Sequence, residues 1–455
     1  MKWIAMIGLV ALLGLIFSGT ACAADPAAPG WMTILPTSEA REILATLGTG
    51  HEAYTGLGDA TIVQCGAGFI EKLKKKTPSP VMTELQPGER LWLLTTKDPA
   101  FREIKFPGVR VLWKGSGFRV LAATETGQMG LAAKMSDFSR LEPLPANETI
   151  LTPLRRAAWK SRPREPIDDL LGRLDRDAFV ADLQALVDLK TRYTYAEGAN
   201  RALEHCEKVF RDLGLATRRL PFTSGATPRD NLEAFLPGTD AAAAGEVVVL
   251  GHLDSTSEKA ATLAPGADDN GSGAAGVLAL ARLMTKPGVT SRANLRFLLV
   301  LGEEQGLLGS KAYVAGLKPE DLSRIRAVIN MDMIGFDRKP PLSLLIETAS
   351  FNAAMAEKAA ELAGRHTTLA TQISYRPWGS DHVPFLNKKV PTLLTIESEF
   401  DDNPNYHRTT DLVGAMNLDL CYQILRLNAA LLAEYAGAQA PAPGPTPGEG
   451  AARHR

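Results

Sequence analysis

Five short clusters of His, Asp, Glu and Tyr carry side chains that can bind a metal ion or transfer a proton. They occupy residues 251–254, 266–273, 302–306, 330–333 and 406–411. Three of the clusters lie at the ends of apolar runs that predict buried strands, at 247–250, 295–301 and 325–331. Because ligands of open α/β sheets bind outside the carboxyl ends of the strands, we expect these side chains to meet in one site.

The first two clusters each allow two interpretations. His252 and Asp254 are two residues apart and can point the same way in an extended chain. A carboxylate often orients a metal-binding histidine, so we predict that Asp254 orients His252, although such a pair alone is more typical of a surface turn. Adjacent Asp268 and Asp269 lie among glycines. They are either a capped turn or a carboxylate placed between two cations, and the pair alone favours neither.

Adjacent glutamates at the end of a buried strand are harder to explain as structural residues, because their charges repel. Glu303 and Glu304 follow the run 295–301 in this way. One glutamate as a metal ligand and the other as a general base would explain both, and we assign Glu303 as the base. Asp332 ends a further apolar run, whereas His407 is a weak signal by itself.

Zinc binds histidine nitrogen and carboxylate oxygen, with about four ligands per ion. We assign His252 and Asp332 to one ion, and Glu304 and His407 to another. Asp269 and a water molecule would bridge the two ions, about 3.5–4 Å apart. The sequence therefore predicts two Zn²⁺ ions per chain, with Glu303 beside the bridging water.

Tyr406 directly precedes the predicted ligand His407. Its hydroxyl could donate a hydrogen bond to an oxyanion that forms at the metal site. Alternatively, its ring packs beside the metal for shape alone. We include Tyr406 among the catalytic candidates and leave both interpretations open.

Taken in order, the clusters resemble the motifs of the secreted bacterial leucyl aminopeptidase family, a group of two-zinc metallopeptidases. The resemblance covers about residues 180–435 and rests on motifs at 252–254, 267–270, 303–306, 331–333, 380–382 and 406–407. It implies that peptide or protein N-termini are the substrates, that Asp269 is the bridging ligand and that the peptide bond between Asp269 and Asn270 is cis. Asp381 and His382 match a family motif, but their roles stay open.

Three other functions are compatible with a site of this kind. Glutaminyl cyclases resemble this fold but use one zinc ion, and Trp typically precedes their last histidine, where this chain has Tyr406. A carboxypeptidase of the same group needs a basic clamp for the substrate carboxylate, and we can assign none. A binding module without activity usually lacks a ligand or the base, and none is missing here. An aminopeptidase is therefore the predicted function.

From residue 167 onward, strand and helix patterns alternate, and several strands are continuous apolar runs. Such runs are typical of a sheet that is covered on both faces. We predict a three-layer α/β/α catalytic domain around a mixed central sheet at residues 167–437. The predicted strands before the first metal-binding motif are 216–222, 231–236 and 247–250, and those after it are 295–301, 325–331, 342–346 and 391–396.

The flanking segments have different compositions. Residues 31–145 contain short β-rich runs and a hairpin signal at 114–117, which predict a smaller β-rich N-terminal domain of unknown role. Residues 146–166 are rich in Pro and Arg and are interpreted as a linker, and residues 438–455 as a disordered Pro/Ala/Gly tail.

The N-terminus predicts export to the periplasm or the extracellular space. Lys2 precedes an apolar run at 4–17 and then small residues, the order of a signal peptide, which we assign to residues 1–24. The run is shorter than the about 20 residues that span a membrane, and no other segment predicts a stable span. Acylation of Cys22 is less favoured, because Gly19 stands where such signals usually carry an aliphatic residue.

The overall composition narrows the possible partners. The chain has 455 residues, 45% of them hydrophobic, and a formal net charge of −1. Without a basic excess we expect no nucleic-acid partner. At most one disulfide could form among Cys65, Cys206 and Cys421, and three buried thiols are an equal alternative. The sequence does not determine the oligomeric state.

Overall fold

The computed structural model describes residues 30–47, 51–76, 81–96, 101, 103–115, 117–135, 139–156, 164–337 and 340–441. The predicted signal peptide, with Cys22, and most of the predicted tail lie outside the described residues.

The strands have the following bounds: β1 (Trp31–Pro36), β2 (His51–Leu57), β3 (Ala60–Cys65), β4 (Val81–Glu84), β5 (Arg90–Thr96), β6 (Val109–Gly115), β7 (Phe118–Ala123), β8 (Ser139–Pro143), β9 (Glu148–Leu151), β10 (Ala216–Ser224), β11 (Thr227–Leu236), β12 (Glu246–His252), β13 (Asn294–Val300), β14 (Ile325–Met331), β15 (Ser343–Glu347), β16 (Ala370–Ser374) and β17 (Thr392–Glu397). The α-helices are α1 (Thr37–Leu47), α2 (Ala67–Lys74), α3 (Glu125–Ala132), α4 (Pro166–Leu171), α5 (Arg176–Val187), α6 (Glu197–Asp212), α7 (Ala241–Ala244), α8 (Gly273–Met284), α9 (Leu308–Gly316), α10 (Pro319–Arg324), α11 (Ala353–His366), α12 (His382–Asn387) and α13 (Leu418–Ala436).

A mixed sheet forms the centre of the catalytic region, in the strand order β10-β11-β13-β12-β14-β17-β15-β16. The four middle strands, β13, β12, β14 and β17, run parallel. Every residue of β12 is buried, as expected for a strand covered on both faces.

Helices cover the two faces of this sheet. On one face, α5, α6, α8, α11 and α13 contribute to a single apolar core with the sheet. On the other face, α9 and α12 pack against it through Tyr313 and Phe385, whose ring centroids are 5.9 Å apart. The predicted three-layer α/β fold with a mixed sheet is therefore confirmed.

Strands β1–β9 and helices α1–α3 form what we call the N-terminal unit (residues 31–151). Five of its strands extend the central sheet beyond β16, in the order β9-β2-β3-β1-β4. The other four form a second sheet in the order β6-β7-β5-β8. The hairpin expected around 114–117 is present, with Gly115 paired to Phe118 across β6 and β7. The unit is rich in strands, as expected, and also contains three helices.

Part of the segment predicted as a linker is a strand. Strand β9 pairs with β2 and, at Leu151, with Ser374 of β16. The Pro- and Arg-rich composition of the segment concealed this strand, because the strand is only four residues long. The N-terminal unit and the catalytic region are thus joined through hydrogen-bonded strands.

Two further expectations concern membrane association and disulfides. Among the helices of the described residues, none combines the length and apolar character that crossing a membrane requires. No disulfide joins any two of Cys65, Cys206 and Cys421, and all three side chains are buried.

Candidate active site

The site lies where neighbouring parallel strands end. His252 is the last residue of β12 and is aligned with Val300, the last residue of β13. Glu303 and Glu304 follow β13 within four residues, and Asp332 directly follows β14. Because these strands run in the same direction, their polar ends meet at one edge of the sheet.

The five predicted metal ligands form two groups that share one carboxylate. His252 Nε2 lies 3.3 Å from Asp269 Oδ1 and 3.4 Å from Asp332 Oδ1. His407 Nε2 lies 3.1 Å from Asp269 Oδ2 and 2.9 Å from Glu304 Oε2. Asp269 therefore directs one oxygen to each group, which is the arrangement of a bridging carboxylate.

The ligand atoms suit zinc in their chemistry, and three of them have unused hydrogen-bonding capacity. Nε2 of His252 and both side-chain oxygens of Glu304 are buried and make no hydrogen bond among the described residues. Buried polar atoms without partners are costly, and a cation between them would offset that cost. Each group combines one imidazole with carboxylates, a ligand set that zinc binds well.

The pKa values of these side chains reflect strong coupling between buried charges. Burial raises the pKa of Glu304 to about 7, although the proximity of His407 lowers it. Burial lowers the pKa of His407, but Glu304 and Asp269 raise it more, to about 10. Burial also raises the pKa of Glu303 well above its usual value. In the absence of a cation, the buried carboxylates of the site repel each other. Bound cations would relieve this repulsion.

Asp254 has a different contact from the one predicted. The Nδ1–H of His252 donates to the backbone carbonyl of Asp254 at 3.1 Å, whereas the Asp254 carboxylate is 3.6 Å away. That carboxylate accepts the N–H of Glu303 at 3.3 Å and the N–H of Glu304 at 3.2 Å. It also accepts the hydroxyl of Thr194 at 2.9 Å. Asp254 therefore orients His252 through its carbonyl and binds the turn of the two glutamates through its side chain.

The segment that carries Asp269 is fixed by residues to which the sequence assigned no role. Both oxygens of Asp411 accept backbone N–H groups, from Asp268 and from Asp269, each at 3.0 Å. Arg192 is fully buried and donates to backbone carbonyls that precede this segment in the chain. Its acceptors are Leu186 at 3.3 Å, Leu253 at 2.8 Å, Pro265 at 2.6 Å and Gly266 at 2.8 Å. Arg192 thus joins the end of β12 to the start of the Asp269 segment.

The peptide bond between Asp269 and Asn270 is cis, as the family resemblance implied. The Asn270 side chain donates to the carbonyl of Met331 at 2.9 Å and accepts the N–H of Gly273 at 2.8 Å. A Cβ at Gly273 would lie 2.4 Å from both the Asn270 and Met331 oxygens, so this close approach requires glycine. Asn270 therefore connects the Asp269 segment to β14 and to the first residue of α8.

A buried pair of carboxyl groups behind the site was also missed. Asn403 Nδ2 donates to Asp268 Oδ2 at 2.9 Å and to Glu397 Oε1 at 3.3 Å. The N–H of Gly335 approaches both carboxyl groups, at 2.8 Å and 3.1 Å. Burial raises the pKa of Asp268 to about 7. Glu397 is the last residue of β17, so the pattern that indicated Asp332, an acid at the end of an apolar strand, could have found it.

Tyr406 is buried and stacks on His407, with ring centroids 3.8 Å apart and the planes inclined by 26°. Burial raises the pKa of Tyr406, and the nearby carboxylates of Asp269 and Glu304 raise it further. The hydroxyl therefore stays protonated and remains a donor. The stacking agrees with a packing role for the ring, and the donor role stays a prediction.

Asp381 and His382 lie behind the two ligand groups and belong to neither. The Ser310 hydroxyl donates to Asp381 Oδ1. His382 Nε2 lies 3.1 Å from Glu347 Oε1, the last residue of β15. These contacts connect α12 with α9 and β15, so both residues stabilise the packing around the site.

An α/β/α domain with two histidine–carboxylate groups at the carboxyl edge of its sheet defines the class of metal-dependent hydrolases. The model of peptidase family M28 matches residues 231–432, a segment that contains all five predicted ligands. Through this domain the chain is similar to peptidase family M28. The predicted class of metallopeptidase is therefore confirmed.

The chain also resembles individual relatives. A probable leucine aminopeptidase of Trichophyton verrucosum is 27% identical over 357 residues, which cover 75% of this chain and 87% of the relative. Leupeptin-inactivating enzyme 1 of Streptomyces exfoliatus is 32% identical over 195 residues, 43% of this chain and 42% of that protein. The LapA aminopeptidase of Legionella pneumophila shares the fold, with a TM-score of 0.54 at 19% identity, over 76% of this chain and 99% of that one.

Proposed function

We propose that the chain is an aminopeptidase that binds two zinc ions and releases N-terminal residues from peptides. The observation that carries this proposal is the position of Asp269, whose two oxygens face two separate groups. Each group contains one further carboxylate and one histidine. The relatives named leucine aminopeptidase support the choice of substrate class.

In this proposal Asp269 contributes to both zinc sites, His252 and Asp332 complete one, and Glu304 and His407 complete the other. Zinc held by these residues would lower the pKa of a water molecule and polarise the scissile carbonyl. The carbonyl of Asp254 fixes the ring of His252 so that Nε2 faces the site.

Glu303 acts as the general base. Its side chain is buried, and burial raises its pKa, so its carboxylate has a higher proton affinity than an exposed glutamate. It takes the proton of the attacking water and delivers it to the leaving amine. General-base catalysis of this kind contributes about 10²–10⁴-fold in rate. The hydrogen bond from the Glu303 N–H to Asp254 keeps the base in place.

Tyr406 donates to the oxyanion that forms when water adds to the carbonyl. Its stacking on His407 limits the motion of the ring. Because burial and the nearby carboxylates raise the pKa of Tyr406, its hydroxyl keeps the proton that it would donate to the oxyanion. An oxyanion donor of this kind contributes about 3–4 kcal/mol to the stabilisation of the transition state.

The alternative functions fit less well. A one-zinc cyclase does not account for a second complete ligand group. A carboxypeptidase needs a cation for the substrate carboxylate, yet the buried arginine next to the site, Arg192, donates to backbone carbonyls. Arg192 is therefore committed to the fold.

A substrate panel on purified protein tests the proposal. We expect hydrolysis of unsubstituted L-aminoacyl 4-nitroanilides and no turnover when the α-amino group is acetylated. N-terminal glutaminyl peptides and N-blocked peptides with a free carboxylate test the cyclase and carboxypeptidase activities in parallel. Turnover restricted to either of the last two substrates would contradict the proposal.

We also propose that the protein is exported, on the basis of the order of charged, apolar and small residues at 2–24. N-terminal sequencing of protein from cell fractions tests this. A mature chain that begins near residue 25 outside the cytoplasm is expected, and an intact N-terminus in the cytoplasm would refute export.

A further inference from the structure

The segment that carries His407 contacts the N-terminal unit. We call residues 398–411 the His407 loop. Phe400 of this loop shares an apolar cluster with Phe118 of β7 and with Tyr406. A Cβ at Gly117 would lie only 2.4 Å from the Phe400 ring, so the β6–β7 hairpin and the His407 loop are in close contact.

A buried ion pair connects the same two segments. Nη2 of Arg119, in β7, lies 3.0 Å from Asp401 Oδ2, and the side chains are 1% and 9% exposed. Arg119 Nη1 donates to the carbonyls of Gly115 and Phe118, at 3.1 Å and 3.0 Å, which fixes the guanidinium on its own hairpin. The N–H of Gly117 also hydrogen-bonds Asp401. The hairpin of β6 and β7 therefore presents a preformed site for one carboxylate of the loop.

A chain of contacts leads from Asp401 to His407. Two residues beyond Asp401, Asn403 donates to the buried carboxyl groups of Asp268 and Glu397. The carbonyl of Asn403 accepts the N–H of Tyr406 at 3.4 Å, and Tyr406 stacks on His407. The start of the loop thus determines where the imidazole lies.

His407 itself needs such support. Its φ is 56°, in the left-handed region that residues other than glycine rarely occupy. A conformation of this kind persists only when the surrounding structure imposes it. His252 differs, because it is the last residue of a fully buried central strand.

We infer that Arg119 is a positioning residue for His407. Through Arg119, the N-terminal unit helps to hold one ligand of the zinc site in place. This inference rests on the proposed function. The group of Glu304, Asp269 and His407 depends on the Arg119–Asp401 pair. The group of His252, Asp269 and Asp332 takes two of its three ligands, His252 and Asp332, from the ends of central strands. Loss of Arg119 should therefore weaken one zinc site selectively.

The test is Arg119→Met in the full chain, with zinc content and activity measured at buffered free-zinc concentrations. Residues that support a metal ligand typically change affinity about 10–100-fold, so we expect one of the two zinc ions to bind at least about 10-fold more weakly. kcat should fall at limiting zinc and recover to within about twofold of wild type at saturating zinc. Arg119→Lys should be intermediate, because it keeps the charge but not the planar guanidinium.

Two further variants separate positioning from folding. Arg119→Met removes the guanidinium that offsets the buried charge of Asp401, which is destabilising in itself. The double variant Arg119→Met/Asp401→Asn removes both charges, keeps an acceptor for the N–H of Gly117, and should show the same selective zinc defect. Arg110→Met is the matched control, because it removes an arginine–carboxylate pair with Glu89 in the same unit. It should bind both zinc ions like wild type.

Tight binding of both zinc ions by folded Arg119→Met or by the double variant would overturn the inference. Equal weakening of both sites would overturn it as well, since that indicates a general effect on the fold. Failure of the proposed function is distinguishable, because the wild-type chain itself would then lack two zinc ions or aminopeptidase activity.

Discussion

The carboxylate of Asp254 accepts the backbone N–H of Glu303 at 3.3 Å, so the proposed general base is positioned from the end of the neighbouring strand. The other oxygen of the same carboxylate accepts the N–H of Glu304 at 3.2 Å. The Asp254 side chain thus holds the backbone of two glutamates that have different proposed roles.

Asp254→Asn should reduce activity about 10–100-fold while His252 stays oriented. In asparagine an NH₂ group replaces one of the two carboxylate oxygens. This NH₂ group would face the N–H of Glu303 or of Glu304 and could not accept its hydrogen bond. His252 keeps its backbone acceptor, because the substitution does not remove the carbonyl. Steady-state kinetics and zinc affinity check this prediction. Thr194→Val, which removes only a hydroxyl donor to the same carboxylate, should have a smaller effect. Wild-type activity in Asp254→Asn would show that the hydrogen bonds from Glu303 and Glu304 to this carboxylate are unimportant for catalysis.

Glu303→Gln should retain both zinc ions and lose at least about 10²-fold in kcat, because the amide cannot take a proton from water. The substitution preserves the shape of the side chain and leaves the backbone N–H bond to Asp254. Elemental analysis and kinetics on the same preparation check the prediction. Turnover near that of wild type with both metals present would remove Glu303 from the role of base.

Metal removal should abolish activity, and readdition should restore it with two zinc ions per chain. His252→Ala should lower the stoichiometry to one, and His407→Ala should do the same, because each histidine belongs to one group only. Asp269→Asn should weaken both ions, since each of its oxygens faces a different group. Elemental analysis after dialysis distinguishes these outcomes. Full activity with one zinc ion per chain would refute the two-metal scheme.

Tyr406→Phe should lower kcat with little change in KM, because the hydrogen bond forms mainly in the transition state. The phenyl ring can still stack on His407, so zinc content should stay at the wild-type level. Tyr406→Leu removes the aromatic stacking too and should lower zinc affinity in addition. If kcat of Tyr406→Phe stays within about twofold of wild type, Tyr406 has only the packing role.

Much of the site was predictable because it depends on local pattern combined with one general rule. Apolar runs mark the strands, and polar residues at their ends meet at the carboxyl edge of a parallel sheet. This reasoning predicted that His252, Glu304 and Asp332 would converge, and the structure brings them to the same edge. The predicted bounds of β14 coincide with the observed ones.

Strand β16 was missed, because Thr371, Gln372 and Ser374 are polar although all five of its residues are buried. These side chains find partners that are distant in sequence. Gln372 donates to the carbonyl of Thr152 at 3.0 Å, and the Thr152 hydroxyl accepts the N–H of Ile373 at 2.9 Å. The residues next to β16 in the sequence give no indication of these partners.

The sequence by itself determined the peptidase class, the α/β domain and the residues proposed as ligands and base, because each follows from residue types next to a regular element. Only the tertiary structure decided how these residues are supported. The Asp254 carboxylate binds the glutamate turn 49 and 50 positions away, and Arg119 binds Asp401 across 282 positions. The physical reason is that such contacts depend on the packing of whole strands and loops, which no short segment of the chain specifies.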